Sequence, residues 1–158
     1  TQADLDTTVS AAVTRLQQAG LNTSSVTQLA NTPIIIGNLA PGLLGLATDA
    51  GILIDADAAG VGWFIDSTPL QDEEFQTLTS RGLGATSPLA LGRVDLLTVV
   101  LHELGHILGF GDLAEDHDSA NLMTESLAPN LRRLPDEESL DALFTQGHLL
   151  DELLMTQS

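Results

Sequence analysis

The segment His102-Glu103-Leu104-Gly105-His106-Ile107-Leu108-Gly109-Phe110-Gly111-Asp112 constrains this chain more than any other. Around it, Val94, Leu97, Leu101, Leu104 and Leu108 recur at three- and four-residue steps, which predicts a helix over 94–108. Residues four apart share a helix face about one turn apart, so His102 and His106 can turn ring nitrogens to one ion. Glu103, beside the first histidine, is placed to take a proton from water without binding the ion itself. Gly109 falls where the helix should stop, since glycine reaches the left-handed conformation without a Cβ penalty. A sharp turn there swings Asp112 back as a third ligand, with His117 as its rival. Asn121-Leu122-Met123-Thr124 then puts a methionine in a polar loop 11 residues beyond Asp112. The plain alternative is a pair of hydrogen-bonded helix histidines and a surface acid at 112. Two histidines bracketing a glutamate inside an apolar helix are costly without a partner. The pattern as a whole predicts a zinc-dependent hydrolase.

Composition narrows the setting. The 158 residues are read as one domain, 1–158, with 148–158 a candidate appended segment. Only 3% of residues are aromatic, so the core is expected to be built from Leu, Ile, Val and Ala. Five arginines against 22 acids, with no lysine, give a net charge of −17. That field repels nucleic acid and anionic membranes and suits cationic partners, high salt or calcium. Asp112, Glu115, Asp116 and Asp118, and the pair Asp55 and Asp57, are candidate Ca2+ ligands, because hard cations take oxygen donors. Neither set has the spacing of an EF-hand loop, and a solvated acidic surface is the simpler reading. No apolar run approaches the ~18 residues that span a bilayer. Thr1 opens directly into a polar helix start, so an excised domain or mature fragment is expected. With no cysteine, disulfides contribute nothing.

Elsewhere the pattern predicts a helix over 3–18 with Leu5, Val9, Val13 and Leu16 on one face, closed by Gly20. Ile34-Ile35-Ile36 reads as the centre of a buried strand running to about Leu39. Further short strands are expected over 42–48, 52–55 and 61–65, then a short helix over 71–78 and a loop over 82–88. Pro135-Asp136-Glu137-Glu138 opens a last helix through Leu140, Leu143 and Phe144 toward Leu154. Arg132 and Arg133 either meet a substrate carboxylate or pair with local acids. His117 and His148 are expected to face solvent.

The run from His102 to Asp112 resembles the extended zinc signature of the metzincin metallopeptidases, and Met123 resembles their Met-turn. The resemblance covers roughly residues 90–130. The stretch from Gly51 to Asp66 is also similar to the region ahead of the active-site helix in matrixin-like domains of large bacterial surface proteins. Most metzincins carry histidine where this chain has Asp112; some secreted bacterial members carry aspartate. The resemblance implies an α+β fold: a small twisted mixed sheet, an N-terminal helix, an active-site helix beneath the sheet, a Met-turn and a C-terminal helix. It implies Zn2+ on His102, His106 and Asp112, with Met123 underlying the site. Zinc on three protein ligands leaves one position open and lowers the pKa of water toward ~7. Glu103 would then be the general base of peptide-bond hydrolysis. It also implies a secreted or cell-surface bacterial setting and a peptide or protein substrate paired with an edge strand. Ile52–Asp55 and Val61–Ile65 are the candidates for that edge, and a monomer is expected. The other class is a non-catalytic metal-binding module of a large extracellular adhesin.

Overall fold

The computed structural model describes residues 1–114, 119–137 and 140–141. His117, His148, the acids at 115, 116 and 118, most of the predicted last helix and the segment 148–158 lie outside them. Where that helix is predicted to begin, Leu140 N–H donates to the Asp136 carbonyl at 3.2 Å, the spacing of a helical turn.

Helix α1 (Gln2–Gln18) starts in a capping box between Thr1 and Asp4. It buries Leu5, Thr8, Ala11, Ala12 and Leu16, while Val9 and Val13 lie half-buried at the margin of that face. Gly20, at φ +111°, reverses the chain, and Leu21 N–H closes back onto Leu16. A second helix, α2 (Thr23–Ala30), follows. It was not anticipated, because its eight residues bury only Leu29; its signal is the Asn22 side chain capping Ser25 N–H at 2.8 Å.

Three strands make the first sheet: β1 (Ile34–Gly37), β2 (Gly45–Thr48) and β3 (Gly51–Asp55), in the order β1-β3-β2. β3 runs parallel to β1 and antiparallel to β2. Two expectations are corrected here. The isoleucine run is an outer strand, with Ile34 buried but Ile35 54% exposed and Ile36 39% exposed. A continuous apolar run suggests burial on both faces, but this sheet covers the helices with one face only. And Ile52–Asp55 lies in β3, the central strand, so it is not an edge.

Within 61–65 only β4 (Trp63–Phe64) is extended, pairing in parallel with β7 (Val94–Asp95). The predicted helix over 71–78 is absent: a turn leads into β5 (Thr77–Thr79). Phe75 is drawn into a cluster with Phe64 and Ala90 while Leu78 is 84% exposed, so the two apolar residues share no helical face. Part of the predicted loop, β6 (Gly82–Gly84), is a strand between β5 and β8 (Leu131–Arg132).

Helix α3 (Leu96–Ile107) is the centre of the molecule, buried throughout 96–105. Its apolar residues pack on Leu5, Leu16 and Leu29 and on Ile34, Ile52 and Ile54 from the inner face of the sheet. The result is an α+β arrangement of helices under small sheets. Asp95 caps the helix, accepting from the Thr98 hydroxyl at 2.7 Å.

Asp95 also meets Arg132, which is wholly buried. Arg132 donates to both Asp95 oxygens at 2.9 Å, to Asp66 at 2.8 Å and to Asp72 at 3.0 Å, with its guanidinium 4.4 Å from the centre of the Phe75 ring. Arg15 of α1 reaches the same Asp72 at 2.8 Å. Pairing with local acids is therefore what Arg132 does. Arg133 donates to the carbonyls of Arg81 and Ser126.

Asp55 and Asp57, candidate calcium ligands by sequence, use their oxygens on backbone. The Asp55 carboxylate accepts N–H from Ala59 at 2.9 Å, Leu39 at 3.0 Å and Asp57 at 3.4 Å, and Asp57 accepts from Gly60. The Ala59 bond first, then that from Leu39, hold the Asp55 carboxyl below its ordinary range despite its burial. The loop so held carries Ala58 and Ala59 at φ 56° and 55°. Asp55→Ala is expected to lose about 1–3 kcal/mol at pH 7, the cost of stranding donors that served a charged acceptor. A carboxyl with a lowered folded pKa stabilises above its unfolded pKa, so the gap to the parent should close as pH falls below about 4. Urea titrations of both proteins at pH 7 and pH 3 check this; a gap independent of pH would contradict it.

Candidate metal centre

α3 brings His102 and His106 to one side, and two loops orient their rings. His102 Nδ1–H donates to the Leu122 carbonyl at 3.0 Å, and His106 Nδ1–H donates to the Phe110 carbonyl at 2.9 Å. A carbonyl only accepts, so each neutral ring keeps its proton on Nδ1 and leaves an Nε2 lone pair free. Burial lowers the His102 pKa, which favours that neutral form.

The two Nε2 atoms lie 3.1 Å apart, and Asp112 Oδ1 lies 3.1 Å from His102 Nε2 and 3.3 Å from His106 Nε2. Three acceptors thus converge on one point, an arrangement that repels itself unless a cation sits between them. His102, His106 and Asp112 could hold a metal ion, and they are the group of that kind found among the described residues. A tetrahedral ion with bonds of about 2.0–2.1 Å separates its ligands by about 3.3 Å, close to the spacing here. Of the sequence-derived alternatives for the third ligand, Asp112 is the one whose position is described.

The local fold explains why Asp112 arrives. α3 ends at Ile107 with Leu108 as its cap, and Gly109 takes φ +99°. Phe110 N–H bonds back to Gly105, which turns the Phe110 carbonyl under His106. Leu113 then exchanges bonds with the methionine loop: its N–H donates to Met123, and its carbonyl accepts from Glu125. The loop is tied internally by Met123 N–H to Asn121 Oδ1 at 2.9 Å. Met123 is buried beneath the helix, and its sulfur occupies the space that a side chain at Gly105 would need. The glycine between the histidines is therefore a packing requirement. Sequence reasoning assigned it no role, although its place one residue before His106 was a usable signal.

Glu103 points the other way, toward β2, and is buried. Burial pushes its pKa up to about 7, against the opposing pull of His106 and of a hydrogen bond from Ala47 N–H. Leu44 accepts from Asp55 N–H, so its carbonyl faces β3. Backbone groups alternate sides along a strand, so those of Gly45 and Ala47 face away from β3, along an edge that no other described strand pairs with. A cleft of about 610 Å³ opens there, between that edge and Glu125, Ser126 and Leu127, with His102, Glu103, His106 and Asp112 at its floor. The edge at the cleft is thus β2, which sequence reasoning did not select. Comparison with protein-family models, with curated proteins and with solved structures finds no match to this chain.

Proposed function

We propose that this chain is a zinc-dependent endopeptidase of metzincin type. The observation that carries the reading is the convergence of two imidazole lone pairs and a carboxylate beside a buried glutamate in an open cleft. Zinc, when bound, supplies Lewis acidity and a nucleophilic water near neutral pH. His102 and His106 would hold it as neutral ligands fixed by the Leu122 and Phe110 carbonyls, and Asp112 would add the negative charge.

The remaining steps belong to the chain itself. Glu103, buried at the floor of the cleft beside the imidazoles, takes the proton of the attacking water and returns it to the leaving amine. The outward N–H and carbonyl of Gly45 and the outward carbonyl of Ala47 pair with an extended peptide, adding it as a strand beside β2, while the Ala47 N–H stays with Glu103. Met123 stays beneath the ligands as their floor. The setting proposed is the secreted or cell-surface bacterial one that the resemblance implies. A metal-binding module without turnover would leave a buried carboxyl at position 103 with no task.

Zinc content by mass spectrometry, together with a casein digest, tests the reading directly. Asp112→Ala is expected to weaken zinc at least about 100-fold, beyond the 10–100-fold typical of losing a group that only orients a ligand. Full zinc affinity in that variant, lost on His117→Ala, would move the third ligand to His117.

A further inference from the structure

β2 carries a glycine at a position whose backbone does not call for one. Gly45 lies in an ordinary antiparallel strand, paired with Ile54, and its φ is not in the left-handed region. Glycine in a strand often marks a place where another group approaches the backbone closely. What approaches is Glu103. A Cβ built on Gly45 would lie 2.6 Å from both Cγ and Oε1 of Glu103 and 2.8 Å from its Cδ. Real Cβ atoms do not come so near, so the whole carboxyl arm of Glu103 fills the space of the missing side chain. Two residues on, Ala47 presents its N–H to the same carboxylate.

We propose that Gly45 is a positioning residue, and that the gap it leaves in β2 is the seat that fixes Glu103 over the metal centre. The catalytic part of this inference rests on the proposed peptidase reading; the seat itself does not. A methyl group at position 45 pushes the carboxyl off its place while leaving His102, His106 and Asp112 untouched. Misplacement of a reacting group by about 1 Å costs on the order of 10²-fold in rate. Gly45→Ala should therefore lower kcat about 100-fold, with KM and zinc content unchanged.

A purely structural effect of the alanine would give the same drop, so the decisive test pairs the two positions. Glu103→Asp shortens the arm by one carbon. In the native background it lowers kcat; in the Gly45→Ala background it should restore part of the loss. Equal losses from Glu103→Asp in both backgrounds, or a Gly45→Ala enzyme with native kcat, would overturn the proposal.

Thermal unfolding of the metal-free chain gives a readout independent of turnover. Gly45→Ala should lower Tm when Glu103 is present and leave it unchanged or raise it when Glu103 is alanine. A Gly45→Ala chain that folds only with Glu103→Ala is the extreme form of the same result. An equal Tm shift in both backgrounds would remove the seat. Should the native chain cleave no peptide, the peptidase reading fails, and the thermal cycle still decides whether Glu103 sits in the gap of Gly45.

Discussion

Glu103→Ala is expected to keep the fold and the metal while peptide cleavage falls by about 10²–10⁴-fold. That is the range by which a positioned acid–base group accelerates proton transfer. The carboxyl lies outside the cluster formed by His102, His106 and Asp112, so its removal takes no ligand away. Its burial makes the loss harder to replace, because bulk water cannot easily stand in for it. Alanine at 103 also relieves a buried carboxyl of its desolvation cost, so stability should hold or rise. Steady-state kinetics on a peptide panel, with zinc content measured on the same samples, check the expectation. Unchanged cleavage in a zinc-loaded variant would exclude Glu103 from the chemistry.

The largest loss of stability is expected from Arg132→Met. Arg132 compensates Asp66 and Asp95, which are 4% and 1% exposed, and shares Asp72 with Arg15. Methionine fills much of the volume but leaves two buried carboxylates without a cation. Breaking a buried pair in this way costs about 3–5 kcal/mol. For a chain of this size each kcal/mol lowers Tm by about 2–4 °C, so a drop of about 6–20 °C is expected. Replacing Asp66 and Asp95 by asparagine alongside Arg132→Met should recover part of it. Thermal and urea unfolding measure both, and a loss below about 1 kcal/mol would show that water reaches the network.

The centre was legible in the sequence because everything that builds it is local. A four-residue spacing puts His102 and His106 on one helix face, and Gly109 ends that helix by its own conformational freedom. The groups that tune the site were not legible, because they are backbone carbonyls or come from distant parts of the chain. The Leu122 and Phe110 carbonyls carry no side-chain signal, and Gly45 looks like any turn-prone glycine until Glu103 is placed beneath it. The same limit applies to the sheet. Ile34-Ile35-Ile36 is apolar enough for a central strand, yet pairing with Ile52–Asp55 on one side only left it outermost. At 71–78 the apolar pair Phe75 and Leu78 mimicked a helical face that Phe64 and Arg132 then pulled apart. Helix α2 was hidden for the opposite reason, a polar segment held by its cap and by Leu29.

Asp95 has two partners of different kinds, the first turn of α3 and the guanidinium of Arg132. α3 is thus a rod clamped at one end and carrying the candidate metal ligands at the other. From Asp95 to His106 the rod is about 16 Å long at 1.5 Å per residue. A tilt of a few degrees at the clamp displaces the histidines by close to 1 Å, the scale on which chemistry fails. Substitutions at Asp66 or Phe75, which touch neither ion nor substrate, would then behave as a loosened bearing: a chain still folded, with its tool out of true.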